Sequence, residues 1–210
     1  MARACPQCAR PYSHCSCLPD ALREVGCERA VKLSSYRAVG RDVTERLVLR
    51  LKDVNDRALF DYLAAELTLP AFRALQDSGA SLDGTVVCYA PRRRSATLAI
   101  GHDQAAGLAR ALSRRLGCPC LNVLCRKGSG KQQKDLSAAE RLGVASKSYR
   151  LSKNACVSGK SVLLVDDICT TGATLGACAA LLYEAGARAV IPVFVAMSER
   201  EQGEPCSEQS

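Results

Sequence analysis

The stretch V-L-L-V-D-D-I-C-T-T-G-A-T-L, residues 162–175, decides how the rest of the chain is read. Val162, Leu163, Leu164 and Val165 form a continuous apolar run, the pattern of a strand buried on both faces of a parallel sheet. Asp166 and Asp167 close that run at its carboxyl end, and Thr170, Thr171, Gly172 and Thr174 fill the turn that follows. A helical pattern then covers 172–185 and stops at Gly186.

In an open parallel sheet, ligands sit outside the carboxyl ends of the strands. A helix N-terminus at that place offers backbone N–H groups and the positive end of the helix dipole. Gly172 lets the backbone come close to an anion, and the threonine hydroxyls add donors. This cradle suits a phosphate monoester. Two carboxylates beside it suit the vicinal hydroxyls of a pentose, because each carboxylate accepts several hydrogen bonds. From its residues alone, the stretch is a site for a ribose 5-phosphate.

Strand patterns over 31–38, 85–90, 120–125 and 189–196 alternate with helical patterns over 44–52, 56–67, 104–116 and 137–146. Leu108, Leu112 and Leu116 form the apolar stripe of helix 104–116, and Ser137 with Glu140 makes a capping box at the head of 137–146. Pro70 is expected to interrupt the helix that begins at 56, leaving only a short turn over 71–76. The alternation implies an α/β fold, a parallel sheet flanked by helices. Two glycine–lysine strings are not phosphate loops. N-A-C-V-S-G-K-S, residues 154–161, lacks the first glycine and precedes a strand, whereas a P-loop follows one; G-S-G-K, residues 128–131, has the wrong spacing.

The 210-residue chain carries 29 Lys and Arg against 21 Asp and Glu, a formal charge of +8 that favours anionic ligands. Hydrophobic residues make up 48%, enough for a sizeable core. Aromatic residues are only 4%, which argues against a stacking platform for single-stranded nucleic acid. The N-terminus has no apolar leader, and no apolar run approaches the ~18 residues of a membrane span. The expectation is a cytoplasmic protein without membrane insertion.

Residues 1–30 have almost no aliphatic periodicity but hold C-P-Q-C, with Cys5 and Cys8, and H-C-S-C, with Cys15 and Cys17. Four thiolates in a segment without a core of its own read as a structural, tetrahedral zinc site. The second pair is tightly spaced, so His14 and Cys27 stand as alternative ligands. The expected organisation is a zinc-binding module at 1–30, an α/β domain at 31–200 and a polar tail at 201–210.

With this cysteine knuckle and the D-D-I-C-T-T-G-A-T string, the chain resembles the ComF family, competence-associated proteins similar to type I phosphoribosyltransferases. The resemblance also rests on Y-R-A-V-G-R (36–41), L-V-L-R-L-K (47–52), P-R-R-R (91–94) and K-Q-Q-K-D-L-S-A-A-E-R (131–141). It implies a type I phosphoribosyltransferase-like fold that binds phosphoribosyl diphosphate (PRPP) with Mg²⁺. Asp166 and Asp167 would take the ribose hydroxyls, and Thr170, Thr171, Gly172, Ala173 and Thr174 the 5-phosphate. Asp166, Asp167 and Thr170 would be the catalytic positions. Arg92, Arg93 and Arg94 offer forked donors for diphosphate oxygens. By the same resemblance the segment 126–150, with seven Lys and Arg against two Asp and Glu, is the mobile loop that closes over substrate.

Two departures from the family pattern matter. Thr170 stands where purine-salvage members carry a carboxylate, and I-G-H-D-Q (100–104) stands where Arg-Gly-Phe-Asn-Gln is usual. The first points away from purine salvage; the second, which loses the family's Arg at Ile100, points away from the usual mode of diphosphate binding there and toward a shifted substrate. The expected reaction is transfer of ribose 5-phosphate from PRPP to an acceptor, with diphosphate leaving through an oxocarbenium-like state. The alternative is a non-catalytic adaptor that binds PRPP or a nucleotide in DNA uptake or processing, with single-stranded DNA or competence proteins as partners. Both readings leave room for an oligomer, and only the enzyme consumes PRPP.

Overall fold

The computed structural model describes residues 15, 17–36, 56–92, 102–127, 148–153 and 156–198. In chain order the elements are α1 (Asp20–Arg23), β1 (Val31–Tyr36), α2 (Arg57–Asp77), β2 (Thr85–Tyr89) and α3 (Gln104–Leu116). After these come β3 (Leu124–Arg126), β4 (Tyr149–Leu151), β5 (Ser161–Cys169), α4 (Ala173–Glu184) and β6 (Ala189–Ser198). The helices read at 44–52 and 137–146 and the tail at 201–210 lie outside the described residues.

Four strands form a parallel sheet in the order β1-β6-β5-β2, the α/β arrangement that the alternation implied. Because side chains alternate along a strand, the central β5 feeds two cores. Val162 and Leu164 pack on one face with Leu175, Cys178 and Leu182 of α4. Leu163 and Val165 pack on the other with Leu63 and Leu67 of α2 and Leu108 and Leu112 of α3. Each of these leucines is at most 1% exposed, a burial that contributes about 1.5–3 kcal/mol per side chain.

The helix ends follow local chemistry. The Asp56 carboxylate accepts the N–H of Ala58 at 2.9 Å at the head of α2, and that of Asp103 accepts the N–H of Ala106 at 3.1 Å at the head of α3. Gly117, with φ 72°, ends α3 in the left-handed conformation. Pro70 does not stop α2, which runs unbroken to Asp77. A proline inside a helix loses one hydrogen bond and costs about 3 kcal/mol. Phe60, Leu63, Ala64 and Leu67 before it, and Ala71, Ala74 and Leu75 after it, are all buried. That shared apolar face outweighs the loss.

Two further differences shape the site. The run 120–125 is not one strand. Cys120 bridges Val87 in parallel at the sheet edge, and the chain then leaves the sheet. Leu124–Arg126 pairs instead with Tyr149–Leu151 in a separate antiparallel ribbon, with Arg126 opposite Tyr149. In addition, residues 18–27 are not set apart from the main body. Leu18, Leu22 and Cys27 belong to the same core as Leu175, Cys178 and Leu182.

Candidate functional site

β5 does not end at Val165. It continues through Asp166 and Asp167 to Cys169, paired throughout with β6: Asp166 lies opposite Phe194, and Cys169 opposite Met197. The strand on its other side is shorter. Tyr89, the last residue of β2, lies opposite Val165, and a final hydrogen bond from Ala90 N–H to the Val165 carbonyl, at 2.9 Å, closes that ladder. Both acids therefore sit on the segment of β5 that has outrun one neighbour. The strand carries its two charges where, among the described residues, only β6 still pairs with it.

Alternation sends the two carboxylates to opposite faces. Asp166 faces the α4 side and lines an open pocket of ≈ 230 Å³ with Thr170, Thr171, Gly172, Ala173 and Thr174. Asp167 is not part of that lining. Its carboxylate takes an ion pair from the Arg92 guanidinium, which extends from the end of β2. The Asp166 carboxylate accepts the N–H of Asp167, and the Asp167 carboxylate accepts that of Ile168, each at 2.9 Å. Both acids are nearly buried. Burial, reinforced by the neighbouring Asp167 carboxylate, pushes Asp166 well above the usual carboxylate range, while Arg92 pulls the other way.

The turn is built for close approach. Gly172 has φ 79°, a left-handed conformation, and stands immediately before the first turn of α4. A Cβ there would also meet Pro19 at 2.9 Å, so packing and backbone conformation demand the same residue. Thr170 and Thr171 are exposed and Thr174 is half-buried. The turn thus presents hydroxyls and the N-terminus of α4 to the pocket.

Two residues that the sequence placed only within the basic segment 126–150, with no individual role, stand beside it. Tyr149 of β4 is 3% exposed and packs with Leu175 and Cys178. Burial pushes the acidity of its hydroxyl down, and the nearby Thr174 side chain partly offsets that push. Arg126 of β3 donates to the same hydroxyl from Nη1 at 3.2 Å, and its guanidinium lies 5.2 Å from the ring centroid. The alternation of Tyr149 and Leu151 around Arg150 was the only local sign of a strand there.

Of the cysteine knuckle, Cys15 and Cys17 are described. Cys15 is buried, and the Cys17 N–H donates to its Sγ at 3.4 Å. Cys27 is packed in the core beside Tyr183, its thiol pushed up to about 11 by burial. Cys5, Cys8 and His14, like Arg93 and Arg94, lie outside the described residues. Among the described residues, no three His, Cys, Asp or Glu side chains converge on one point, and no helix is long and apolar enough to cross a membrane.

Residues 102–208 match the phosphoribosyl transferase domain family. The DNA utilization protein YhgH of Escherichia coli strain K12 is 29% identical over 189 residues, covering 89% of this chain and 80% of that protein. The competence protein ComFC of Bacillus subtilis strain 168 is 28% identical over 193 residues, covering 90% of this chain and 75% of that one. Among solved structures, adenine phosphoribosyltransferase from Saccharomyces cerevisiae aligns over 68% of this chain and 70% of its own, with 22% identity and a TM-score of 0.43.

Proposed function

The chain belongs to the phosphoribosyl transferase domain family, and from that premise we propose that it binds PRPP and transfers ribose 5-phosphate to an acceptor with release of diphosphate. The observation that carries this reading is the convergence of Asp166, Thr170, Thr171, Gly172, Ala173 and Thr174 on one pocket at the carboxyl end of the sheet. Thr170, Thr171, Thr174 and the backbone from Gly172 take the 5-phosphate. Asp166 accepts from a ribose hydroxyl. Asp167 acts from the other face of β5 by holding Arg92, and Arg93 and Arg94, which follow it in sequence, are proposed as further donors to the diphosphate. No side chain serves as a covalent nucleophile; the chain's part is to orient the sugar and to stabilise charge as diphosphate departs.

Mg²⁺ enters with PRPP in this proposal. The pocket's carboxylate and hydroxyl oxygens are the hard donors that suit it. When bound, it supplies neutralising charge for the diphosphate. A structural zinc held by Cys5, Cys8, Cys15 and Cys17 belongs to the same proposal. Its support is the donor chemistry of four thiolates and the N–H···S contact from Cys17 to Cys15, which favours a thiolate.

A second reading keeps PRPP or nucleotide binding without catalysis, as an adaptor in DNA uptake or processing. The names of the YhgH and ComFC relatives favour it, as does Thr170 in place of a carboxylate. One experiment tests both. The protein, Mg²⁺ and PRPP are incubated with a panel of bases and amines, and diphosphate is assayed. Release with one acceptor supports the transferase. Saturable PRPP binding without release, joined by salt-sensitive binding of single-stranded DNA, supports the adaptor. No PRPP binding at all ends both readings.

A further inference from the structure

The described lining of the pocket contains one carboxylate, Asp166, and no cation. A phosphate dianion needs opposing charge. One helix N-terminus supplies only about half an elementary charge. Arg92, at the end of the neighbouring β2, is committed to Asp167. Arg126 is different. Among the described residues no carboxylate pairs with it, and it is held by the hydroxyl of Tyr149, whose ring packs with Leu175 and Cys178 of α4, next to the cradle.

We propose that Arg126 is the counter-ion of the phosphate cradle and that Tyr149 is the residue that positions it, so that the β3–β4 ribbon forms one wall of the site. The proposal rests on the sugar-phosphate reading of the turn 170–174 and names two residues that reading did not include.

The geometry of the pair is set by the backbone. Arg126 and Tyr149 are directly opposed in the antiparallel ribbon, so their side chains share one face as cross-strand neighbours. Tyr149 is fixed by burial against Leu175 and Cys178 and holds the guanidinium in two ways, over its ring and at its hydroxyl. The contact at the hydroxyl engages Nη1 and leaves most of the five guanidinium N–H donors for an anion. The phenol spans the gap between ribbon and turn. Its ring packs against α4 while its oxygen accepts from Arg126, so phenylalanine would fill the same space without holding the guanidinium. A phosphate monoester bound at the turn would thus receive backbone and hydroxyl donors from β5 and α4, and a charged fork from the ribbon.

The test is calorimetric titration with ribose 5-phosphate as the probe, on full-length wild-type protein and the variants Arg126→Gln, Arg126→Lys, Tyr149→Phe and Thr171→Val. Loss of a charge-assisted hydrogen bond predicts that Arg126→Gln binds ribose 5-phosphate about 10- to 100-fold more weakly. Arg126→Lys should recover part of that loss, which a merely structural role would not produce. Tyr149→Phe, which keeps the packed ring, should weaken binding about 3- to 10-fold with an unchanged melting temperature. If Arg126→Gln and Tyr149→Phe both bind within about twofold of wild type while Thr171→Val binds weakly, the inference is wrong and the phosphate reading of the turn survives. If wild-type protein does not bind ribose 5-phosphate, both fall together.

Discussion

A Cβ on Gly176 would stand 2.6 Å from the carbonyl oxygen of Ala21. The N-terminal segment therefore rests on the backbone of α4, in the first turns after the phosphate cradle. Two effects oppose each other in Gly176→Ala. Alanine in a helix gains about 0.5–1 kcal/mol over glycine. Overpacking against a backbone atom that cannot rotate away costs about 1–3 kcal/mol. The clash should win, with a net loss of about 1 kcal/mol and a melting temperature lower by ~2–4 °C. A variant that melts higher than wild type would show that α1 is not seated on α4.

Asp166 makes stability depend on pH in a direction opposite to that of an ordinary ion-paired carboxylate. Burial and the adjacent Asp167 raise its pKa, so the folded protein holds the proton more firmly than the unfolded chain. Its contribution to stability is complete below the ordinary carboxylate range and is lost as pH rises through the folded pKa. Asp166→Asn should remove that decline, and denaturant midpoints of wild type and variant should diverge as pH rises. Parallel curves from acid to neutral pH would contradict this placement of the carboxylate.

The Arg92–Asp167 pair is mostly shielded from water, with side chains 22% and 9% exposed. Arg92→Ala leaves a carboxylate without its partner and should cost about 2–4 kcal/mol in urea denaturation. The double variant Arg92→Gln with Asp167→Asn should lose less than the sum of the two single variants, since it removes both charges at once. Strict additivity would mean the two groups do not interact in solution.

A metal held by Cys5, Cys8, Cys15 and Cys17 should appear as about one zinc per chain in elemental analysis. Chelation, or Cys15→Ser with Cys17→Ser, should lower the melting temperature, because Leu18 and Leu22 enter the main core directly after the knuckle. Full stability of the zinc-free protein would remove the proposed structural role.

Much of the architecture was readable because it follows from local rules. The helix over 104–116 runs from its Asp103 cap to Gly117 as the leucine spacing required. The alternation of apolar strands with amphipathic helices implied the parallel sheet, and the threonine–glycine turn announced a helix N-terminus after β5. Other features were hidden for a common reason. Pro70 read as a stop because its local cost is evident in the sequence, whereas the burial on both sides of it depends on packing partners far along the chain. Asp166 and Asp167 read as the end of a strand because charge usually leaves a core; β6 runs on beside them and keeps the ladder.

The sequence by itself determined the fold class and the residues of the turn, since hydrophobic periodicity, a positive-φ glycine and hydroxyl donors are properties of neighbouring positions. Tertiary structure alone decided which acid meets the pocket. A period of two sends adjacent side chains apart, and the side of β5 on which α4 packs decides that Asp166, not Asp167, lines the pocket. It alone also joined Arg126 to Tyr149, because pairing between strands separated along the chain is settled by the packing of the whole domain and not by the residues near either one.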